Sequence, residues 1–295
     1  MVSANRFIRT AVIPLIIVAY GVFLLIDHDH YSPVIDAGRD HIQNIQKIGS
    51  IEGLLFGGSN VVYSLSAEFL SHHMGIKWYN ASVMNELRTI ERHKNFIQDL
   101  SARIDRAKVR YVVYSSYAPY RTGRIARFES STIRIKPKIS ILGYIRHQPV
   151  SDWPQRNRFG DIVFENVNCD FTAYSTYHRR ENVDISAKFL ADHAIFFASL
   201  FPNASIFIVL PSEYYGALSF NDSIFEQTLR TKFYSGLNER YNDMKIIFQP
   251  PYTSVKQVCD LQNHANEGGR LWRTRNLIEL MREAVARTVP SATAQ

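Results

Sequence analysis

The sequence predicts an α/β domain built on a parallel β-sheet with helices on both faces. From about residue 51 onward, short β-rich apolar segments alternate with longer segments of helical periodicity. Strands that alternate with helices in this way pair in parallel and need cover on both faces of the sheet. The composition agrees, because 46% of the 295 residues are hydrophobic, which excludes a disordered or low-complexity protein.

An uncharged N-terminal segment stands apart from this domain. Residues 11–26 read AVIPLIIVAYGVFLLI, and with the apolar residues before them they approach the ~20 residues that a helix needs to cross a bilayer. Arg6 and Arg9 precede the segment, and Asp27 and Asp29 follow it. The positive-inside rule therefore predicts a cytoplasmic N-terminus. A cleaved signal peptide and a buried core helix are the alternatives, but the first lacks its small-residue cleavage pattern and the second lacks a polar face.

These observations divide the chain into three parts. Residues 1–30 contain the cytoplasmic tip and a single-pass anchor in the inner or plasma membrane. Residues 31–50 form a juxtamembrane helix and linker, and residues 51–295 form the α/β domain, which we expect to be periplasmic or otherwise extracytoplasmic. An insertion at about 118–180 interrupts the domain, because it shows little helical periodicity over some sixty residues.

The elements of the domain follow from two patterns. Each strand is a short apolar run rich in β-branched residues, and each helix places apolar residues three or four positions apart. In chain order they are helix 36–47, strand 51–56, a helix with Val61, Val62, Leu65, Phe69 and Leu70 on one face, strand 77–79, helix 84–104, strand 109–115, helix 184–201, strand 205–210, helix 222–241, strand 244–248 and helix 270–287.

The insertion carries an excess of positive charge equal to that of the whole chain. The formal net charge is +7, and residues 118–158 contain nine basic side chains against two acidic ones. One interpretation is a solvated basic surface that faces lipid headgroups. The other is a groove for an anionic polysaccharide, with Arg121, Arg124 and Arg127 as substrate-binding residues. Nucleic acid is not expected as a partner, because the domain lies outside the cytoplasm.

Two segments carry residues suited to nucleophilic catalysis. Gly57-Gly58-Ser59 joins a strand to a helix, where backbone N–H groups and the helix dipole would stabilise an oxyanion, although Ser59 also suits an ordinary N-cap. Asp260 and His264 share one loop before the last helix. Asp260 could hold one ring nitrogen of His264 while the other faces Ser59, and the alternative is a surface loop with an Asx-turn.

This arrangement resembles the SGNH/GDSL hydrolase superfamily, and most of all its membrane-anchored branch associated with O-acetylation of secreted bacterial polysaccharides. The strand–GGS–helix segment and the acid with H-x-N-x-x-G before the final helix carry the resemblance, which covers about residues 51–290 without the insertion. It implies a flavodoxin-like three-layer α/β/α sandwich. It also implies acyl transfer through an acyl-serine, with Ser59 as nucleophile, His264 as base and Asp260 as orienting acid.

The sequence departs from the family pattern at three places. Gly58 stands where the family has aspartate, and three residues separate Asp260 from His264 where the family has two. The oxyanion glycine and asparagine blocks are not clear, so Asn80 is our candidate donor and Ser115, or its neighbour Ser116, a second one. No cofactor or metal is expected, because no histidine pair with a carboxylate has the spacing of metal ligands.

Three functions remain open. The first is a membrane-anchored acyltransferase or esterase that acts on a secreted or cell-surface polysaccharide; as a transferase it would need a membrane-embedded acyl-supplying protein. The second is a non-catalytic accessory or binding protein of a polysaccharide biosynthesis or export complex. The third is an esterase of cell-envelope lipids or proteins. Cys169 and Cys259 would both lie outside the membrane, where a disulfide can persist, although two buried thiols explain the count as well.

Overall fold

The computed structural model describes residues 33–83, 90–116, 156–164, 183–212, 223–237, 244–259 and 264–286, and the isolated residues 12, 14 and 241. Apart from residues 12 and 14, the predicted anchor lies outside these ranges, and so do Arg121, Arg124, Arg127, Cys169 and Asp260. Among the helices within these ranges, none has both the length and the apolar character that a bilayer crossing requires.

Strands and helices alternate in the described chain, as predicted. The strands are β1 (Gly53–Gly57), β2 (Trp78–Asn80), β3 (Tyr111–Ser115), β4 (Ser205–Leu210) and β5 (Lys245–Phe248). The helices are α1 (Pro33–Ile48), α2 (Ser59–Ser64), α3 (Ala67–Met74), α4 (Ile90–Ser101), α5 (Val183–Leu200), α6 (Ser223–Ser235) and α7 (Glu267–Ala286). Short 3-10 helices span Arg106–Lys108 and Val255–Gln257.

The five strands form one sheet in the order β2-β1-β3-β4-β5, and every pairing is parallel. This is the doubly wound, flavodoxin-like order, in which the winding of the chain reverses between β1 and β3. In such sheets the ligand crevice forms outside the carboxyl ends of the strands at that reversal. Here it is the place where Gly57 pairs with Ser115.

Side chains of the strands alternate between two apolar layers. Phe56 and Tyr114 point to the layer formed with α1, α4, α5 and α6. Leu55 and Val113 point to the layer formed with α2, α3 and α7. The sheet therefore lies between two helical layers, which is why its strands read as continuous apolar runs.

The single helix predicted through Val61 and Leu70 is two helices in the structure. The first helix ends at Ser64, and Ser66 caps α3, since its Oγ accepts a hydrogen bond from the backbone of Phe69 at 3.1 Å. The carboxylate of Asp161 accepts two more, from the backbone N–H groups of Ala67 at 2.8 Å and Glu68 at 2.9 Å. The prediction of one helix is wrong because this second cap comes from the distant insertion.

The described part of the insertion packs against the end of β2. The backbone N–H of Asn80 donates to the carbonyl oxygen of Phe159 at 2.8 Å. The guanidinium of Arg156 donates to the carbonyl oxygens of Gly160 at 2.6 Å and Ser82 at 3.0 Å. Residues 156–164 therefore pack against the carboxyl edge of the sheet.

Three histidines are buried in the layer of α1, α4 and α5. Burial lowers the pKa of His93 to about 3, with a further contribution from His193. Burial also lowers the pKa of His193 to about 4, against a hydrogen bond to the backbone of Phe189 that raises it. The pKa of His41 is lowered well below its ordinary value, chiefly by burial and then by the charge of Arg156.

We expect the free energy of unfolding to fall as the pH is lowered from 6.5 towards 4. In this window the unfolded chain binds more protons than the folded one, because burial depresses the folded pKa values, and linkage then destabilises the fold. Unfolding midpoints in urea, measured at pH steps from 7 to 4, test this. Both His193→Phe and His193→Gln should flatten the slope, whatever their effect on packing; a slope equal to that of the wild type in both variants would contradict the account.

Candidate active site

Ser59 and His264 are in direct contact, although 205 positions separate them in the sequence. Nε2 of His264 lies 2.9 Å from Oγ of Ser59. Ser59 is partly exposed, whereas His264 is 5% exposed. The structure thus brings together the two side chains that the sequence predicts as nucleophile and base, at the carboxyl edge of the sheet.

Ser59 is the first residue of α2 and not its N-cap. Gly58 occupies the N-cap position, and no side chain caps this end of the helix. The backbone N–H groups of Val61 and Val62 donate to the carbonyl oxygen of Gly58. The interpretation of Ser59 as an ordinary cap is therefore wrong, and its hydroxyl bonds to His264 instead.

Gly57 allows the chain to turn from β1 towards the nucleophile. Its φ is +151°, and a Cβ at this position would lie 2.1 Å from the carbonyl oxygen of Ser115 and 2.5 Å from a methyl carbon of Val61. The end of β1 thus packs directly against the end of β3. A side chain at residue 57 would push Ser59 away from this position.

The loop of His264 and an aromatic neighbour fix the imidazole. Val258 and Ala265 form an antiparallel bridge, and the backbone N–H of Cys259 donates to the carbonyl oxygen of His264 at 2.6 Å. The imidazole stacks on the ring of Tyr63, with the centroids 4.6 Å apart and the planes 18° apart. This stack sets the plane of the ring that presents Nε2 to Ser59.

Sequence analysis missed Tyr63, although a signal for it was present. It lies four residues after Ser59 on α2, and residues at this spacing share a face of a helix. A large aromatic residue on the same helix face as the nucleophile is therefore placed to contact a side chain that bonds to Ser59. Tyr63 itself is almost completely buried, so it supports the imidazole from the protein side.

The H-x-N-x-x-G pattern has a local structural explanation. Oδ1 of Asn266 accepts a hydrogen bond from the backbone of Gly269 at 3.0 Å and so caps α7, while its Nδ2 donates to the carbonyl oxygen of Lys256 at 2.6 Å. A Cβ on Gly269 would lie 1.9 Å from the carbonyl oxygen of Gln257. The asparagine and the glycine therefore hold the start of α7 against the segment that precedes His264.

Asn80, the predicted oxyanion donor, has no free amide hydrogen. Its Nδ2 donates to Oδ1 of Asp161 at 3.1 Å and to the carbonyl oxygen of Leu65 at 3.3 Å, and its Oδ1 accepts from the backbone of Ser82. Asn80 is fully buried. In this geometry the side chain connects β2, the insertion and the α2–α3 junction.

Ser115, the second predicted donor, belongs to a buried network around Arg273. Its Oγ accepts hydrogen bonds from Nδ2 of Asn60 at 2.8 Å and from Nη2 of Arg273 at 3.3 Å. Arg273 is fully buried and also donates from Nη1 to the carbonyl oxygen of Asn60 at 2.8 Å and from Nε to Oε1 of Gln249 at 2.5 Å. Ser116, the alternative to Ser115, is buried as well.

The insertion also reaches the environment of His264. The ring of Phe164 lies 6.5 Å from that of Tyr63 in an edge-on arrangement. The guanidinium of Arg270 lies 4.6 Å from the centroid of Phe164 and donates to the carbonyl oxygen of Ile162 at 2.8 Å. Residues 162–164 thus form an apolar wall next to the Tyr63–His264 stack.

The arrangement suits nucleophilic chemistry at Ser59. An imidazole nitrogen at 2.9 Å can accept the hydroxyl proton as the oxygen attacks an electrophile. Asp260, the predicted orienting acid, lies outside the described residues, so its role stays a prediction. In the ranges described, no group of three or more histidine, cysteine, aspartate or glutamate side chains could hold a metal ion.

Comparisons with known proteins give little further information. No protein-family model matches the chain, and no curated protein matches it. Among solved structures, the chain is similar to an acetyl xylan esterase from the rumen bacterium Butyrivibrio proteoclasticus, with 9% sequence identity and a TM-score of 0.41. The match covers 81% of this chain and only 65% of that chain. A similarity of this extent establishes neither a shared family nor a shared activity.

Replacing Gly57 with alanine should destabilise the fold by about 3 kcal/mol or more, because the added Cβ meets the backbone of Ser115. Gly236→Ala is the matched control, since its Cβ would make ordinary contacts at 3.4 Å on an exposed turn. Urea unfolding of both variants gives the comparison. Equal stabilities of the two variants would contradict the close packing of β1 on β3.

Cys259 is disulfide-bonded, and the chain has one other cysteine, Cys169, outside the described residues. Peptide mapping under non-reducing conditions should therefore link Cys259 to Cys169. Reduction should lower the free energy of unfolding by about 2–4 kcal/mol, and should have no effect on a variant with both cysteines replaced by serine. Two free thiols in the non-reduced protein would contradict the pairing.

Proposed function

We propose that this protein is a membrane-anchored, extracytoplasmic, serine-dependent acyltransferase or esterase that acts on a secreted or cell-surface polysaccharide. The observation that carries the proposal is the 2.9 Å contact between Oγ of Ser59 and Nε2 of His264. A serine paired with an imidazole is the minimal arrangement for acyl transfer. The Ser59–His264 pair lies where the winding of the parallel sheet reverses, and ligand crevices form at such places, which adds support to the proposal.

The first half of the proposed reaction acylates the enzyme. Nε2 of His264 accepts the hydroxyl proton of Ser59 while Oγ attacks the ester carbonyl, and negative charge develops on the carbonyl oxygen. The tetrahedral intermediate then collapses. The bond to the alcohol oxygen breaks, the alcohol leaves with the proton from His264, and the acyl group remains on Ser59.

The second half transfers the acyl group. An acceptor hydroxyl gives its proton to His264 and attacks the acyl carbonyl, and Ser59 leaves with that proton. The acceptor is water in an esterase and a sugar hydroxyl in a transferase. In this scheme the carboxylate of Asp260 orients the other ring nitrogen of His264.

The polysaccharide substrate and the membrane location rest on the sequence. The apolar segment at 11–26 supports a single-pass anchor with the main domain outside the cytoplasm. The basic side chains of the insertion, Arg121, Arg124 and Arg127 among them, suit an anionic polymer. The contact of Phe164 with Tyr63 supports a role for the insertion near the site. As a transferase, the protein would receive acyl groups from a membrane-embedded partner.

A non-catalytic accessory protein of a polysaccharide biosynthesis or export complex is the second candidate. The hydrogen bonds of Asn80 favour it, because both amide hydrogens are used and this side chain cannot donate to an oxyanion. The loss of one oxyanion donor typically costs ~10²–10³ in rate. In that case the domain binds the polymer through its basic insertion without chemistry at Ser59.

The test is acetylation of the full chain, purified in detergent, by 4-nitrophenyl acetate, followed by intact-mass spectrometry and peptide mapping. We expect one acetyl group on Ser59 in the wild type and none in Ser59→Ala. Ser199→Ala, which changes an exposed serine on α5, should label like the wild type. The absence of any adduct, together with loss of polysaccharide binding when Arg121, Arg124 and Arg127 become alanine, would favour the accessory protein.

A further inference from the structure

One buried guanidinium connects segments at the carboxyl ends of three strands. Arg273, on α7, donates to the carbonyl oxygen of Asn60 after β1, to Oγ of Ser115 at the end of β3 and to Oε1 of Gln249 after β5. Gln249 returns a hydrogen bond from Nε2 to the carbonyl oxygen of Arg273 at 3.0 Å. The carboxyl ends of three strands are thus held by one side chain.

The charge of Arg273 has no anionic partner in the described part of the chain. Its acceptors on Gln249, Asn60 and Ser115 are neutral oxygens, and Tyr252 adds a phenol hydroxyl. No described carboxylate forms an ion pair with it. Burial lowers the pKa of the Arg273 guanidinium and the nearby Tyr252 opposes the shift. A guanidinium stays protonated in proteins, so the group is charged at neutral pH.

Arg270, one turn earlier on the same helix, shows the contrast. It is also mostly buried, but the charges of Asp161, Glu267 and Glu68 all favour its charged form. A fully buried charge without such neighbours reduces stability, and groups of this kind cluster at functional sites.

The hydrogen bonds of Arg273 reach the residue next to the nucleophile. The guanidinium bonds to the carbonyl oxygen of Asn60, which directly follows Ser59. Nδ2 of Asn60 bonds to Oγ of Ser115, which is itself bonded to Arg273, so the peptide after the nucleophile is held from two sides. A fixed positive charge in buried surroundings acts more strongly than one in water on negative charge that develops beside it.

We propose that Arg273 is a positioning residue for acyl transfer: it holds the Ser59–Asn60 segment in place, and its desolvated charge stabilises the negative charge that develops beside Ser59 as the ester is attacked. This inference rests on the proposed function. It assigns to α7 a stabilising role that Asn80 cannot take, because the amide hydrogens of Asn80 are used elsewhere.

The test measures single-turnover acylation of Ser59 by 4-nitrophenyl acetate in the full chain. Arg273→Met removes both charge and donors, Arg273→Gln keeps a donor without charge, and Arg273→Lys keeps the charge. We expect Arg273→Met to lower the saturating acylation rate about 100-fold with little change in the half-saturating ester concentration. Arg273→Lys should recover part of that loss, and Arg273→Gln should not. Arg275→Met, at an exposed position of the same helix, is the control and should react like the wild type.

The outcomes separate this inference from the function on which it rests. A wild type that acylates Ser59 while folded Arg273→Met reacts at the same rate overturns the role of Arg273 and leaves the proposed function intact. If Arg273→Met does not fold, the acylation rates of the other two variants decide. A faster rate in Arg273→Lys than in Arg273→Gln supports the role of charge, and a rate in Arg273→Gln at least as fast as in Arg273→Lys overturns it. A wild type that never acylates Ser59 overturns both.

Discussion

The hydrogen bond between Ser59 and His264 joins the segment after the first strand to the segment before the last helix. Both segments leave the same edge, because every strand of the sheet is parallel. Gly57 sets the position of one partner, and the hairpin closed at Val258 and Ala265 sets that of the other. A misplacement of about 1 Å at either segment would be enough to reduce the chemistry severely.

Two buried charged side chains at the carboxyl edge of the sheet, Asp161 and Arg273, differ in their hydrogen-bond partners. The carboxylate of Asp161 accepts hydrogen bonds from Ser66, Ala67, Glu68 and Asn80, and so ties the insertion to the start of α3. The guanidinium of Arg273 has neutral acceptors only, within the ranges the structure describes. Asp161 is thus stabilised as part of the architecture, whereas the field of Arg273 remains available to act on charge at the nucleophile.

The strands could be predicted because parallel strands covered on both faces are continuous apolar runs, and the predicted strand 205–210 matches β4 residue for residue. Contacts between residues far apart in the sequence could not be predicted in this way. The break before α3 and the bonding of Asn80 both depend on Asp161, which lies far along the chain in a segment without periodicity. Arg273 left a readable signal, because it lies on the buried stripe of α7 with Leu277 and Met281, where a charged residue is unusual.

The activation of Ser59 is tested most directly by the rate at which a fluorophosphonate labels this residue in the folded, full-length protein. The reagent reports an activated serine without requiring the natural substrate. We expect one label per chain on Ser59 and a loss of at least about 100-fold in labelling rate in His264→Gln, because the imidazole accepts the hydroxyl proton. No label on Ser59, or an equal rate in His264→Gln, would show that the observed hydrogen bond does not activate the serine.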